Sequence, residues 1–143
     1  MRRAVAEALK QGMPTIAECG GFLYLLESLE DADGNAYPMC AALPGRGYKT
    51  DRLQRFGYLR LNAPEDSLLF RKGERVPAHE FHHWDSTENG VSLRAEKADG
   101  RAWPCGYASK SLYAAFPHLH FGGDFPFAER FVKACEAWKA SMT

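Results

Sequence analysis

Neither sign of charge is in excess, since eighteen Lys and Arg balance eighteen Asp and Glu over 143 residues. With no basic stripe the chain offers no electrostatic footprint for nucleic acid or an anionic membrane, so neither is expected as a partner. Long apolar runs are also missing, and none approaches the ~20 residues that a membrane helix needs. The opening Met1-Arg2-Arg3 resembles a secretory n-region for three residues only, because Glu7 and Lys10 interrupt the apolar stretch such a leader requires. Cysteine is sparse. Cys19, Cys40, Cys105 and Cys135 form no Cys-x-x-Cys pair and no regular framework. That excludes a disulfide scaffold and, with no export signal, points to reduced thiols and a cytoplasmic location. Repeats, low-complexity tracts and linkers are absent as well. What the chain does have is 45% hydrophobic and 13% aromatic residues, enough for one core and one domain over residues 1–143.

Periodicity divides the chain into alternating element types. Residues 2–11 read as a helix with Ala4, Val5 and Ala8 on one face, stopped by Gly12 and Pro14. Thr15-Ile16-Ala17 suits a buried strand. Phe22, Leu25, Leu26 and Leu29 then fall at i, i+3, i+4 and i+7, which predicts a helix that ends in the turn residues Asp31 to Asn35. Further strands are expected over Phe56–Leu61, residues 78–84, residues 91–96 after the Asn89-Gly90 turn, and residues 111–116. A closing helix from Pro126 to Lys139 carries Phe127, Phe131, Cys135 and Trp138 on one stripe. The order predicts an α/β domain.

One junction has the form of a nucleophile elbow. In Ala17-Glu18-Cys19-Gly20-Gly21 a strand turns directly into a helix, with a small residue two positions to either side of the cysteine. Such a turn projects the side chain from the sheet edge and offers the Gly20 N–H to an oxyanion. The helix N-terminus is expected to lower the thiol pKa. A cysteine nucleophile also needs a base. Of five histidines, His79, His82 and His83 form one group and His118 and His120 another. The second pair comes after a strand and runs into Gly122-Gly123, a strand end where a base is readily displayed. In an extended stretch His118 and His120 face the same side, so either fits. A zinc site drawn from His79, His82, His118 and His120 is the weaker alternative, because His-x-x-His in a strand splits across two faces, and no metal is expected.

Three ordered segments resemble one family. Ala17-Glu18-Cys19-Gly20-Gly21-Phe22-Leu23-Tyr24-Leu25 is similar to the nucleophile segment of the cobyrinate a,c-diamide synthases, in the cobyrinate/cobyrate branch of the class I (triad-type) glutamine amidotransferases. His79-Glu80-Phe81-His82, with Gly57-Tyr58-Leu59-Arg60-Leu61 as the strand before it, resembles that family's Gly-His-Glu-Phe-His segment. Phe116-Pro117-His118-Leu119-His120-Phe121 resembles the segment carrying the catalytic histidine. The resemblance implies a flavodoxin-like layered sheet with helices, entered after its first strands. It implies Cys19 as nucleophile, Gly20 as oxyanion donor and His118 as base, since His118 rather than His120 matches the family's histidine position. Glutamine is then the amide donor. The partners implied are an ATP-binding synthetase domain or subunit, which would hold ATP and magnesium, and cobyrinate or a related macrocycle amidated at its a and c side chains.

Departures from the family carry their own expectations. The family's Gly-rich loop, which supplies a second oxyanion donor, precedes the helix that opens this sequence; losing one donor costs roughly 10²–10³ in rate, so the chain alone is expected to be a weak or inactive glutaminase. Where many relatives have Glu two residues after the histidine, this sequence has His120. The orienting group is thus unnamed, with Glu80 and His120 as possible supporting residues. Arg46, Lys49 and Arg52 are possible partners for the glutamine carboxylate. Missing first strands would expose a sheet edge and favour a homodimer. The alternatives are a split or catalytically inactive interaction subunit, and an amidotransferase for another tetrapyrrole or a cell-wall lipid intermediate.

Overall fold

The computed structural model describes residues 1–142. In chain order the elements are α1 (Arg2–Lys10), β1 (Thr15–Glu18), α2 (Gly20–Leu25), β2 (Ser28–Glu30), β3 (Ala36–Pro38), β4 (Arg46–Lys49), β5 (Arg55–Asn62), β6 (Arg75–His82) and β7 (Trp84–Ser86). After them come β8 (Leu93–Glu96), β9 (Ala102–Cys105), β10 (Tyr107–Ala108), β11 (Leu112–Ala115), β12 (His118–Leu119) and α3 (Phe127–Ser141). No helix among the described residues is long and apolar enough to cross a membrane.

The domain is mixed α/β, as expected, but its strands divide among three sheets, ordered β1-β11-β10, β12-β6-β5-β8-β9 and β3-β2-β4-β7. Among the described residues only β1 with β11 and β2 with β4 run parallel. The layered sheet flanked by helices is therefore represented by the β1–β11 pair, and most of the chain pairs antiparallel. Connection length explains this. Parallel neighbours need a crossover of a dozen or more residues, whereas the strands between Ser28 and Ala108 are mostly joined by connections of seven residues or fewer. One such connection is the β2–β3 hairpin, where Asp31 Oδ1 accepts the N–H groups of Asp33 and Asn35.

That hairpin also shortens the helix expected through Leu29. The chain becomes extended at Leu26 (ψ 176°) and Leu29 lies in β2. Its side chain still packs beside Leu23, and Gly47 leaves room for both. A 3.6-residue spacing thus spanned two elements that share one cluster, with Phe22, Leu23, Leu25, Leu26 and Phe116 at its centre. The larger cluster holds Leu59, Leu61, Phe70, Val76, Tyr113 and Phe127. The α3 helix docks on it through Phe127 and Phe131, and Arg130 grips Glu74 with two hydrogen bonds of 2.6 and 2.7 Å.

One crossing positions the site. Leaving β11, the chain passes through Phe116-Pro117 from the first sheet into β12 of the second. The buried Tyr113 hydroxyl donates to the Pro117 carbonyl at 2.8 Å and fixes this passage. The end of β1, the start of β12 and the outer face of β6 therefore meet.

Candidate active site

Cys19 adopts φ 51°, ψ −107°, a conformation costly for any residue with a Cβ (of order 1–3 kcal/mol) and characteristic of strained functional turns. The elbow is held from both sides: the Cys19 N–H donates to Ala115 O at 2.9 Å, and the Cys19 carbonyl accepts from Leu23 N–H at 3.0 Å. Small residues do meet across the turn. A Cβ on Gly21 would lie 3.6 Å from the Ala17 Cβ, an ordinary contact. At Gly20 a Cβ would meet nothing within 4 Å.

The thiol is half-buried and donates to the Phe81 carbonyl of β6 at 4.0 Å. Its pKa is raised, contrary to the sequence expectation. Burial is the largest cause; the Gly20 N–H opposes it, and the negative charges of Glu18 and Glu80 add to it. The α2 helix is only six residues long, too short for its dipole to outweigh loss of water and two carboxylates. The thiol therefore rests protonated, and a base must take its proton.

His118 lies beside the elbow, held by a residue that sequence reasoning did not single out. Glu18, immediately before Cys19, places Oε2 3.3 Å from His118 Nδ1. Its Oε1 accepts the Leu119 N–H at 2.9 Å. With the carboxylate beside Nδ1, Nε2 is the ring nitrogen that the Glu18 contact leaves free. A charged residue ending an otherwise apolar strand, next to the candidate nucleophile, was the available signal. Its partner lies about a hundred residues away, and spacing does not reveal it.

The other sequence candidates separate. His120 is exposed and its ring lies against the Gly122-Gly123 pair, where a Cβ on Gly123 would be 3.3 Å from Nδ1. His118, His120, His79, Tyr58 and Pro77 line one open cavity of about 600 Å³, within the size range of small-molecule sites. The outer face of β5 and β6 continues from this cavity as edge-to-face rings, Tyr58–His79, His79–Phe56, Phe56–Phe81 and Phe81–His83. His82 points to the opposite face, stacked on Phe116 at 3.8 Å with Nδ1 2.6 Å from Trp84 O. Burial pushes its pKa down. Of the histidines weighed as a zinc set, His82 is thus separated from His79, His118 and His120, and among the described residues no three His, Cys, Asp or Glu converge to hold a metal ion. Glu80 also faces inward, 1% exposed, so the pleat directs it away from His118. Lys49 is engaged with Ala32 O at 3.0 Å, and Arg46 and Arg52 are exposed on other segments.

The chain is similar to known proteins over most of its length. Residues 1–125 match the CobB/CobQ-like glutamine amidotransferase domain. The cobyrinate a,c-diamide synthase of Caldanaerobacter subterraneus subsp. tengcongensis is 36% identical over 143 residues, covering 96% of this chain and 31% of that protein. The synthase of Fusobacterium nucleatum is 37% identical over 134 residues, covering 90% of this chain and 29% of the relative. That of Streptococcus sanguinis is 41% identical over 128 residues, covering 86% and 28%. The chain spans about a third of the length of these curated relatives. With the match extending over most of its length, the chain belongs to the CobB/CobQ-like glutamine amidotransferase domain family.

Proposed function

We propose that the chain is the glutamine-hydrolysing part of an ATP-dependent amide synthase, with Cys19 as nucleophile, His118 as base and Glu18 as the carboxylate that orients His118. The observation that carries the reading is the strained Cys19 elbow next to the Glu18–His118 pair. His118 Nε2 takes the thiol proton, and sulfur attacks the side-chain carbonyl carbon of glutamine. The Gly20 N–H, already directed at the sulfur, donates to the developing oxyanion. The C–N bond breaks as His118 returns the proton to nitrogen, and ammonia leaves a thioester on Cys19. Water, deprotonated by His118, then attacks the thioester; glutamate departs and the sulfur regains its proton. The raised thiol pKa favours this concerted route over a standing thiolate.

The relatives' names support cobyrinate, amidated at its a and c carboxylates in cobalamin biosynthesis, as the acceptor. ATP and magnesium belong in this reading to the synthetase part, and no step in this chain is routed through them. The test is release of glutamate and ammonia from glutamine by the chain, alone and with a cobyrinate-activating synthetase, ATP and magnesium. Weak turnover that Cys19→Ala abolishes, rising with the synthetase and cobyrinate, is the expected result. Hydrolysis that survives Cys19→Ala would remove the proposal.

A further inference from the structure

Behind the candidate site, on the inner face of β6, the described residues leave four buried side-chain polar atoms without a protein partner: Glu80 Oε2, His82 Nε2, Asn89 Oδ1 and Trp103 Nε1. Glu80, Asn89 and Trp103 line the same small, partly open cavity, together with Arg55, Cys105, Phe116 and Pro117. Its volume, about 10 Å³ for the centre of a water-sized molecule, is room for one such molecule. Three unpaired polar groups around one molecule-sized space are not a packing accident. Each such group buried without a partner is destabilising.

The chemistry of the lining defines the occupant. Trp103 Nε1 can only donate. Asn89 Nδ2 already donates to Asp85 Oδ1 at 3.1 Å, so its oxygen is the atom left to accept. The Asn89 backbone is fixed, since its carbonyl accepts the Gly106 N–H at 2.6 Å. Beside it, a Cβ on Gly90 (φ +72°) would lie 2.3 Å from Gly106 O, so only glycine permits this approach. The Arg55 guanidinium covers the Trp103 ring at 4.2 Å, holding the indole in place. An occupant must therefore accept from Trp103 and donate to Asn89, while Glu80 accepts or donates according to whether its carboxyl holds a proton. A bare cation cannot accept, a simple anion cannot donate, and an apolar gas can do neither.

We infer that Glu80, Asn89 and Trp103 form a built binding site for one neutral, water-sized molecule that both donates and accepts hydrogen bonds. Water and ammonia have this chemistry; ammonia as a source rests on the glutaminase reading, water does not. The site abuts the candidate catalytic residues. Phe116 and Pro117 in its wall lead directly to His118, and Glu80 lies in β6 between His79, the cross-strand partner of His118, and Phe81, whose carbonyl takes the Cys19 thiol.

The test is nuclear Overhauser spectroscopy on the ¹⁵N-labelled chain, with the Trp103 indole assigned by its loss in Trp103→Phe. A long-lived cross-peak from the indole proton to the water frequency, diminished in Asn89→Leu while the rest of the spectrum stays dispersed, is the expected result. A saturable shift of that indole signal in ammonium chloride, and none in sodium chloride, names ammonia as an occupant; no shift leaves water. An indole proton with no cross-peak to any exchangeable small molecule overturns the site. None of these readings depends on glutamine turnover, so failure here is distinct from failure of the glutaminase proposal.

Discussion

The two faces of β6 separate a segment that looks like one motif. His79 and Phe81 point outward, with their rings in a ladder that borders His118 and the Cys19 thiol. Glu80 and His82 point inward and are 1% and 4% exposed. Outside, polar groups pair with one another at a solvent-exposed rim. Inside, each ionisable group is held near its uncharged form, Glu80 with its pKa raised to about 7 and His82 with its pKa lowered, chiefly by burial. Adjacent residues on a strand thus do different work because the pleat alternates every residue.

The largest effects should come from the outer face. In glutamine hydrolysis His118→Ala is expected to lower kcat by ~10²–10⁴, the usual value of a positioned base, and His120→Ala by less than about 10-fold. Equal losses would erase the distinction between the Glu18-bound and the glycine-packed histidine.

On the inner face the expected effect is on stability and its pH dependence. Glu80 in the folded chain keeps its proton to about 7 against an ordinary 4.5. The folded state thus binds more protons than the unfolded between these values, and stability falls as pH rises through that window. Arg55 and Lys97 moderate the effect and Asp85 adds to it. Its full size is about 3 kcal/mol. His82 acts in the opposite direction, since a buried neutral imidazole loses stability as pH falls below its ordinary 6.5. Denaturant titrations from pH 4.5 to 8 should show the Glu80 loss in wild type and not in Glu80→Gln, which gains stability relative to wild type above pH 7. A parallel pH dependence in both proteins would place Glu80 outside the account.

Back at the site, Glu18→Gln should lower glutamine hydrolysis by ~10–100-fold, less than in a fully buried triad because His118 is 45% exposed. The smallest effect belongs to the elbow. Gly21→Ala adds a Cβ at 3.6 Å from Ala17 and should be neutral or stabilise slightly in thermal or denaturant unfolding.

Local signals carried much of this. The Thr15–Glu18 strand, the turn at Cys19, the β5 alternation and the closing helix come from period and small-residue placement, and all are present. Strands β9 and β10, only four and two residues long and interrupted by Gly106, gave no period to detect. The Glu18–His118 pair and the Glu80 cavity were not legible, because both depend on how distant strands register. Long-range pairing also decides the thiol's environment. The helix N-terminus was visible in sequence; the burial and carboxylates that outweigh it were not.

The central claim is that Glu18 and His118 make Cys19 a nucleophile toward glutamine. A diazoketone analogue of glutamine, with labelling read by mass spectrometry, tests it without requiring turnover. Labelling of Cys19 alone, with Cys40, Cys105 and Cys135 untouched, slowed strongly by His118→Ala and less by Glu18→Gln, is the predicted result. Labelling spread over all four cysteines, or a Cys19 rate unchanged in both variants, would contradict it.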